Sequence, residues 1–139
     1  MKKVFLDVNV IVDFLIERDP FYDAIVKLIS LADQAQISIV TTPLSFATTH
    51  YLISKVENKN IALKKLQNFK LLCHACTMND LIVEKALNSQ MKDFEDALQY
   101  YSAINSQCQV IITRDGKDFK NSEIPVMTPS EFLSQRKHS

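Results

Sequence analysis

The sequence predicts an α/β domain with a central, mainly parallel β-sheet flanked by α-helices. Three observations carry that reading. Short apolar runs suited to buried strands alternate with stretches of helical periodicity, the pattern of parallel-sheet domains. Two of the runs, Val4-Phe5-Leu6-Asp7 and Val110-Ile111-Ile112-Thr113-Arg114-Asp115, share one design, a buried strand ending in a carboxylate. The 139 residues, 47% apolar and 23% charged, suffice for one hydrophobic core and contain no linker, repeat or low-complexity tract. One domain over 1–139 is expected.

The elements follow in order. Lys3 to Leu6 reads as the first strand. Asp19-Pro20 reads as an N-cap with proline at the first helical position. Ile25, Leu28, Ile29 and Ala32 then mark one helical face at i, i+3, i+4 and i+7. Ile37 to Thr41 is a second strand, and Pro43 opens a helix to about Lys55. A lysine-rich helix follows near Asn60 to Asn68, then a strand near Lys70 to Cys76. Helices are expected from about Asn79 to Ser89 and Lys92 to Asn105. Val110 to Ile112 is a strand, and Val126-Met127 an edge strand. Thr128-Pro129-Ser130-Glu131 is a capping box that opens a C-terminal helix.

Composition excludes several function classes. Gly116 is the only glycine, so the glycine-rich phosphate loop, the dinucleotide fingerprint and the glycine-flanked nucleophile elbow are all ruled out. Sixteen basic and sixteen acidic residues balance, which argues against a strongly basic nucleic-acid binder while leaving room for local patches. No apolar stretch approaches the roughly 20 residues of a membrane span. Asp7 and Asp13 interrupt what could pass for a signal sequence. Three cysteines, an odd number, argue against a disulfide framework. A soluble cytoplasmic protein is expected, with no membrane association.

The candidate chemistry lies at the strand ends. Ligands of open α/β sheets bind outside the carboxyl ends of strands, where Asp7 and Asp115 would sit. Each could instead cap the helix or turn that follows it. The helix from Lys92 to Asn105 buries Phe94, Ala97, Leu98, Tyr101 and Ile104. At about 100° per residue, Asp93 and Asp96 lie about 60° apart on one border of that face, while Glu95 points about 160° from Asp93. Carboxylates brought together repel one another and call for a cation. Oxygen-only ligands suit Mg²⁺ or Mn²⁺, which can activate water and neutralise charge on a phosphodiester.

These residues resemble the PIN-domain family, and within it the small VapC-like ribonuclease toxins of bacterial toxin–antitoxin pairs. The match runs from Phe5-Leu6-Asp7-Val8-Asn9 through Asp93-Phe94-Glu95-Asp96-Ala97-Leu98-Gln99 to Ile111-Ile112-Thr113-Arg114-Asp115 and the closing Thr128-Pro129-Ser130-Glu131-Phe132-Leu133. The resemblance implies a parallel sheet flanked by helices and an acidic quartet holding Mg²⁺ or Mn²⁺ for RNA cleavage. It places the first acid at Asp7, the third at Asp96 and the fourth at Asp115, with Asp118 as an additional acid. Asn9 and Thr113 match small polar positions that hydrogen-bond the carboxylates or a phosphate. RNA as substrate, an antitoxin protein as partner and a homodimer are expected with it.

The second acid of that pattern is missing. The family places a glutamate in the helix after the second strand, yet no acid occurs between Asp33 and Glu57. Thr48 or a neighbour occupies the expected place. Asp93 could substitute, or three carboxylates could hold one ion with more waters.

Other signals carry less. Cys73-His74-Ala75-Cys76 looks like half a zinc site, but strand residues three apart face opposite sides and no second Cys/His pair exists. Five lysines against one acid between Lys55 and Lys70 mark either a solvated helix face or a phosphate-tracking rim. Arg114, beside Asp115, is the nearer candidate for gripping a phosphate. The helix around Ile25, Leu28 and Leu31 is apolar over an arc wide enough to suggest a dimer face.

Three functional readings result. The first is a metal-dependent endoribonuclease toxin. The second is a catalytically silent PIN-like RNA- or protein-binding module, supported by the absent glutamate. The third, a haloacid-dehalogenase-type phosphatase, needs an aspartate at position 9, where Asn9 stands.

Overall fold

Val4, Phe5 and Leu6 have no exposed surface in the computed structural model, which describes residues 1–137. They end β1 (Lys2–Leu6), the middle strand of a five-stranded sheet. With β2 (Ile37–Thr41), β3 (Cys73–Ala75), β4 (Val110–Ile112) and β5 (Val126–Met127) the order is β3-β2-β1-β4-β5. Every pairing is parallel, with Val4 opposite both Ile39 and Val110.

Among the described residues six helices and a 3-10 turn connect the strands, α1 (Val8–Leu15), α2 (Tyr22–Asp33), α3 (Pro43–Val56), α4 (Lys59–Lys70), α5 (Asp80–Leu87), α6 (Phe94–Asn105) and the 3-10 helix Gly116–Phe119, and α7 (Pro129–Lys137) follows β5. The period of two along the strands distributes them over both faces of the sheet. Val4, Leu6, Ile39 and Ile112 meet Ile11 of α1, Ile25 and Leu28 of α2, Phe69 of α4 and Phe132 of α7. Phe5, Val40 and Ile111 turn the other way, onto Tyr100 and Ala103 of α6. A third cluster packs α5 on α6 through Ile82, Ala86, Ala97 and Leu98. Cys73 belongs to the first face and Cys76 to the second, so the two thiols diverge across the sheet.

Five features depart from the sequence expectation, the first being that Phe94, expected on the buried face of its helix, is 47% exposed. Helix α1 begins directly at the end of β1, with Asp7 as its N-cap accepting from Val8 N–H. Asp19-Pro20 does not open a helix: its peptide bond is cis, and α2 starts at Tyr22 behind an N-cap, Phe21, without a capping side chain. Helix α4 runs on to Lys70, which shortens the following strand to Cys73–Ala75. Of the dimer face expected around Ile25, Leu28 and Leu31, the first two are interior, Ile25 1% exposed and Leu28 fully buried, while Leu31 is half-buried beside α7.

Candidate active site

From β1 the chain crosses to β2 on one side of the sheet, and from β4 to β5 on the other. The carboxyl ends of β1 and β4 therefore flank a topological switch point, where open parallel sheets form their ligand crevices. Asp7 leaves the end of β1 and Thr113 the end of β4. A hollow of about 350 Å³ lies there, lined by Asp7, Asn9, Asp93, Glu95, Asp96, Gln99 and Asp118 among others. A larger hollow between α2 and α7 lies away from these carboxylates.

Asp7 is 6% exposed and held from two sides. Val8 N–H donates to Oδ1 at 2.8 Å, and the Thr113 hydroxyl donates to Oδ2 at 2.8 Å. Asn9 Nδ2 donates to Thr113 Oγ1 at 3.3 Å, and Asn9 Oδ1 accepts from Arg114 N–H at 3.2 Å. Asn9 and Thr113 thus tie the first turn of α1 to the end of β4 and orient Asp7. Burial raises the Asp7 carboxyl above its ordinary value; the Thr113 and Val8 hydrogen bonds oppose this, and the charges of Asp118 and Glu95 add to it.

The entry to α6 places three further acids. Asp93 is not on the helix border but is the N-cap, its Oδ1 accepting from Asp96 N–H at 2.9 Å. The helix then starts at Phe94, which puts Glu95 and Asp96 together in its first turn. Glu95, expected to point away, lines the hollow and accepts a hydrogen bond from Thr48 of α3 at 3.1 Å. Asp96 is half-buried, and its carboxyl is pushed up to about 7, first by loss of solvent and then by the charges of Asp93, Asp118, Asp7 and Glu95.

The end of β4 contributes differently from what the sequence suggested. Asp115 does not line the hollow; its Oδ1 accepts from Lys117 N–H at 3.0 Å, capping the 3-10 helix. That turn presents Asp118, whose carboxyl is raised by desolvation and by Asp115 and Asp93. Arg114, expected to grip a phosphate, lines the hollow but is also tied to a buried acid. Its Nη2 and Nε donate to Asp13 Oδ1 and Oδ2 at 2.6 and 3.0 Å, and its guanidinium lies over the Phe21 ring. Arg18 approaches the same Asp13 at 3.3 Å. Both arginines that line the hollow are therefore engaged by a buried acid outside its lining.

Two residues escaped the sequence reading. Asp13 follows Asn9 by one helical turn, a spacing that puts both on one face of a helix, but that helix was not recognised. Gln99 is 1% exposed; its Oε1 accepts from Thr42 and Ser45 at 2.9 and 3.0 Å, while its Nε2 has no partner.

The donors fit a hard divalent cation by chemistry, being carboxylate oxygens without a free positive side chain among them. They stand apart around the hollow: among the described residues no three acidic, histidine or cysteine side chains close on a single point. Unshielded like charges favour that spacing.

The comparisons decide the family. The PIN-domain model matches residues 3–117, from β1 into the 3-10 turn. The chain belongs to the PIN-domain family. Ribonuclease VapC1 of Aquifex aeolicus (strain VF5) is 32% identical to this PIN domain, over 96% of this chain and 95% of its own. Among solved folds, VapBC2 of Rickettsia felis, bound to a DNA fragment from its promoter, superimposes with a TM-score of 0.69 at 18% identity over 90% of this chain and 96% of its own. VapC20 of Mycobacterium tuberculosis, a sarcin-ricin loop cleaving toxin, gives 0.67 at 12% identity over 85% and 94%. These two likenesses concern the PIN fold alone.

Proposed function

We propose that this PIN domain is a metal-dependent endoribonuclease, the toxin of a toxin–antitoxin pair, with RNA as substrate and an antitoxin protein as partner. One observation carries the reading: carboxylates from the end of β1, the start of α6 and the 3-10 turn line one hollow at the switch point of a parallel sheet. The kinship with a named ribonuclease over nearly the full chain supports it.

Asp7, Asp96 and Asp118 would hold Mg²⁺ or Mn²⁺, with Asp93 at the rim and Asp115 bracing the turn that carries Asp118. Bound there, the cation lends charge neutralisation and water activation to phosphodiester hydrolysis. Asp7 is a fixed acceptor because Val8 and Thr113 hold both its oxygens. Without a cation the Asp96 carboxyl is pushed up to about 7 by burial and by its acidic neighbours, a mutual repulsion that a bound divalent cation would relieve. Gln99 Nε2 offers a donor to an incoming oxygen.

The test is RNA cleavage by the purified chain with added Mn²⁺. We expect cleavage that EDTA abolishes reversibly and that Asp7→Asn eliminates without unfolding. Cleavage unchanged in Asp7→Asn would remove the site. A silent binding module is favoured by Thr48 standing where a glutamate is expected; RNA binding without cleavage at any metal concentration selects it.

Association and location belong to the same proposal. Tyr51 and Val56 of α3 and Leu81 and Leu87 of α5 are exposed apolar side chains, of the kind that association with a second copy covers. A homodimer is expected by light scattering, and a strict monomer at micromolar concentration counts against it. Among the described residues no helix is long and apolar enough to cross a membrane. The three cysteines are free thiols, consistent with the reducing cytoplasm.

A further inference from the structure

We propose that Glu95 supplies the carboxylate that α3 lacks, reaching the hollow from the opposite wall, and that Thr48 positions it. The inference rests on the metal-dependent nuclease reading and names a ligand that the family pattern does not assign.

Thr48 holds the place where the pattern expects glutamate, and its hydroxyl donates to Glu95 Oε1 at 3.1 Å. A glutamate at position 48 would set a second carboxylate against Glu95, so a short neutral donor suits α3 once the acid comes from α6. Thr48 engages one of the two Glu95 oxygens; no other partner of Glu95 is found among the described residues. Glu95 also lies in the first turn of α6, where unsatisfied backbone N–H groups favour negative charge. It shares the lining of the hollow with Asp7, Asp96 and Asp118, and its charge is felt at both Asp7 and Asp96.

An independent observation bears on this corner of the hollow: a buried side-chain donor there has no acceptor from the protein. Gln99 is one helical turn beyond Glu95, so the two side chains stack along α6. Its amide is buried, with Oε1 turned to the Thr42 and Ser45 hydroxyls and Nε2 unpartnered. A buried amide donor without an acceptor is costly to leave unmet. The acceptor that fits is an anionic oxygen such as that of a substrate phosphate, seated beside Glu95 and the cation it would hold.

Calorimetric titration of the metal-stripped chain with Mn²⁺, with melting curves as the check on folding, tests the inference. Glu95→Gln should weaken Mn²⁺ binding at least about tenfold. Thr48→Val, which keeps every charge, should weaken it about tenfold, while Thr48→Ser should bind as the wild type does. The double variant Thr48→Glu with Glu95→Gln, which returns the acid to α3, should recover most of the lost affinity. If Glu95→Gln unfolds, the Thr48→Val and Thr48→Ser pair decides alone. Glu95→Gln or Thr48→Val binding within about twofold of wild type, while Asp7→Asn loses binding, overturns the role of Glu95 and leaves the nuclease reading intact. A wild-type chain that binds no Mn²⁺ at millimolar concentration overturns both.

Discussion

Arg114 grips Asp13 with two nitrogens, at 2.6 and 3.0 Å, although the sequence separates the two residues by a hundred and one positions. Asp13 is 1% exposed, and the pair fastens α1 to the end of β4 just beneath the acidic hollow. Arg114 thereby has a structural role at the edge of the hollow it lines.

Arg114→Ala should leave the buried Asp13 carboxylate with only Arg18 beside it and cost about 3 kcal/mol, read from urea denaturation midpoints. Replacing both partners by apolar residues, Asp13→Leu with Arg114→Met, should cost less than the single Arg114 change, because no charge is left stranded. An unchanged midpoint in Arg114→Ala would contradict this role.

Thr113→Val removes the hydroxyl that orients Asp7 and accepts from Asn9. Cleavage should fall about 10- to 100-fold, as for other residues that brace a metal ligand. Melting should show a loss of about 1–2 kcal/mol. Thr113→Ser, which keeps the hydroxyl, should retain most of the activity; equal activity in Val and Ser variants would dismiss the bracing role.

The pH dependence of the metal-free protein follows from Asp96. A carboxyl raised from 3.8 to about 7 binds its proton more tightly in the folded chain than in the unfolded one. Stability from this group is therefore greatest in acid and is lost as pH climbs from about 4 to about 7; burial raises Asp7 in the same direction. Asp96→Asn should melt higher than wild type at pH 8, by about 1 kcal/mol after allowance for solvent screening, and equally at pH 4. Equal melting at both pH values would show that the carboxylates do not strain the fold.

At the other end of the chain, Thr128 Oγ1 accepts from Glu131 N–H at 3.2 Å while the Glu131 carboxylate accepts from Thr128 N–H at 2.9 Å. Thr128→Ala should cost about 1 kcal/mol in thermal unfolding. Phe132→Ala, a change in the first core cluster, should cost about 3–5 kcal/mol. The reverse order would show that α7 is held by its cap rather than by packing.

The strands were legible because their apolar runs are unbroken and their ends carry polar residues: Val4 to Leu6 and Val110 to Ile112 needed no tertiary information. The capping box at Thr128 was likewise local. The site was read less well because helix phase depends on where a helix starts. Glu95 was set opposite Asp93 by helical phase, but Asp93 is the N-cap and lies outside that phase, so the angle between them does not apply. The cap itself is local, Asp93 Oδ1 accepting from the Asp96 N–H three residues on. The tie of Arg114 to Asp13 and the hydrogen bond from Thr48 to Glu95 join distant segments, which no local pattern announces.

The central position of β1 has a temporal consequence. Asp7 is made first, yet the Thr113 hydroxyl that fixes it, and Asp118 beside it, follow more than a hundred residues later. Pairing of β1 with β4 closes that long loop, a step that is slow relative to local folding. A ribosome-bound or prematurely terminated chain that stops short of β4 has no Thr113 or Asp118 to complete the acidic crevice. Under the nuclease reading, synthesis itself then acts as a safeguard, since fragments stay harmless to the RNA of the ribosome making them.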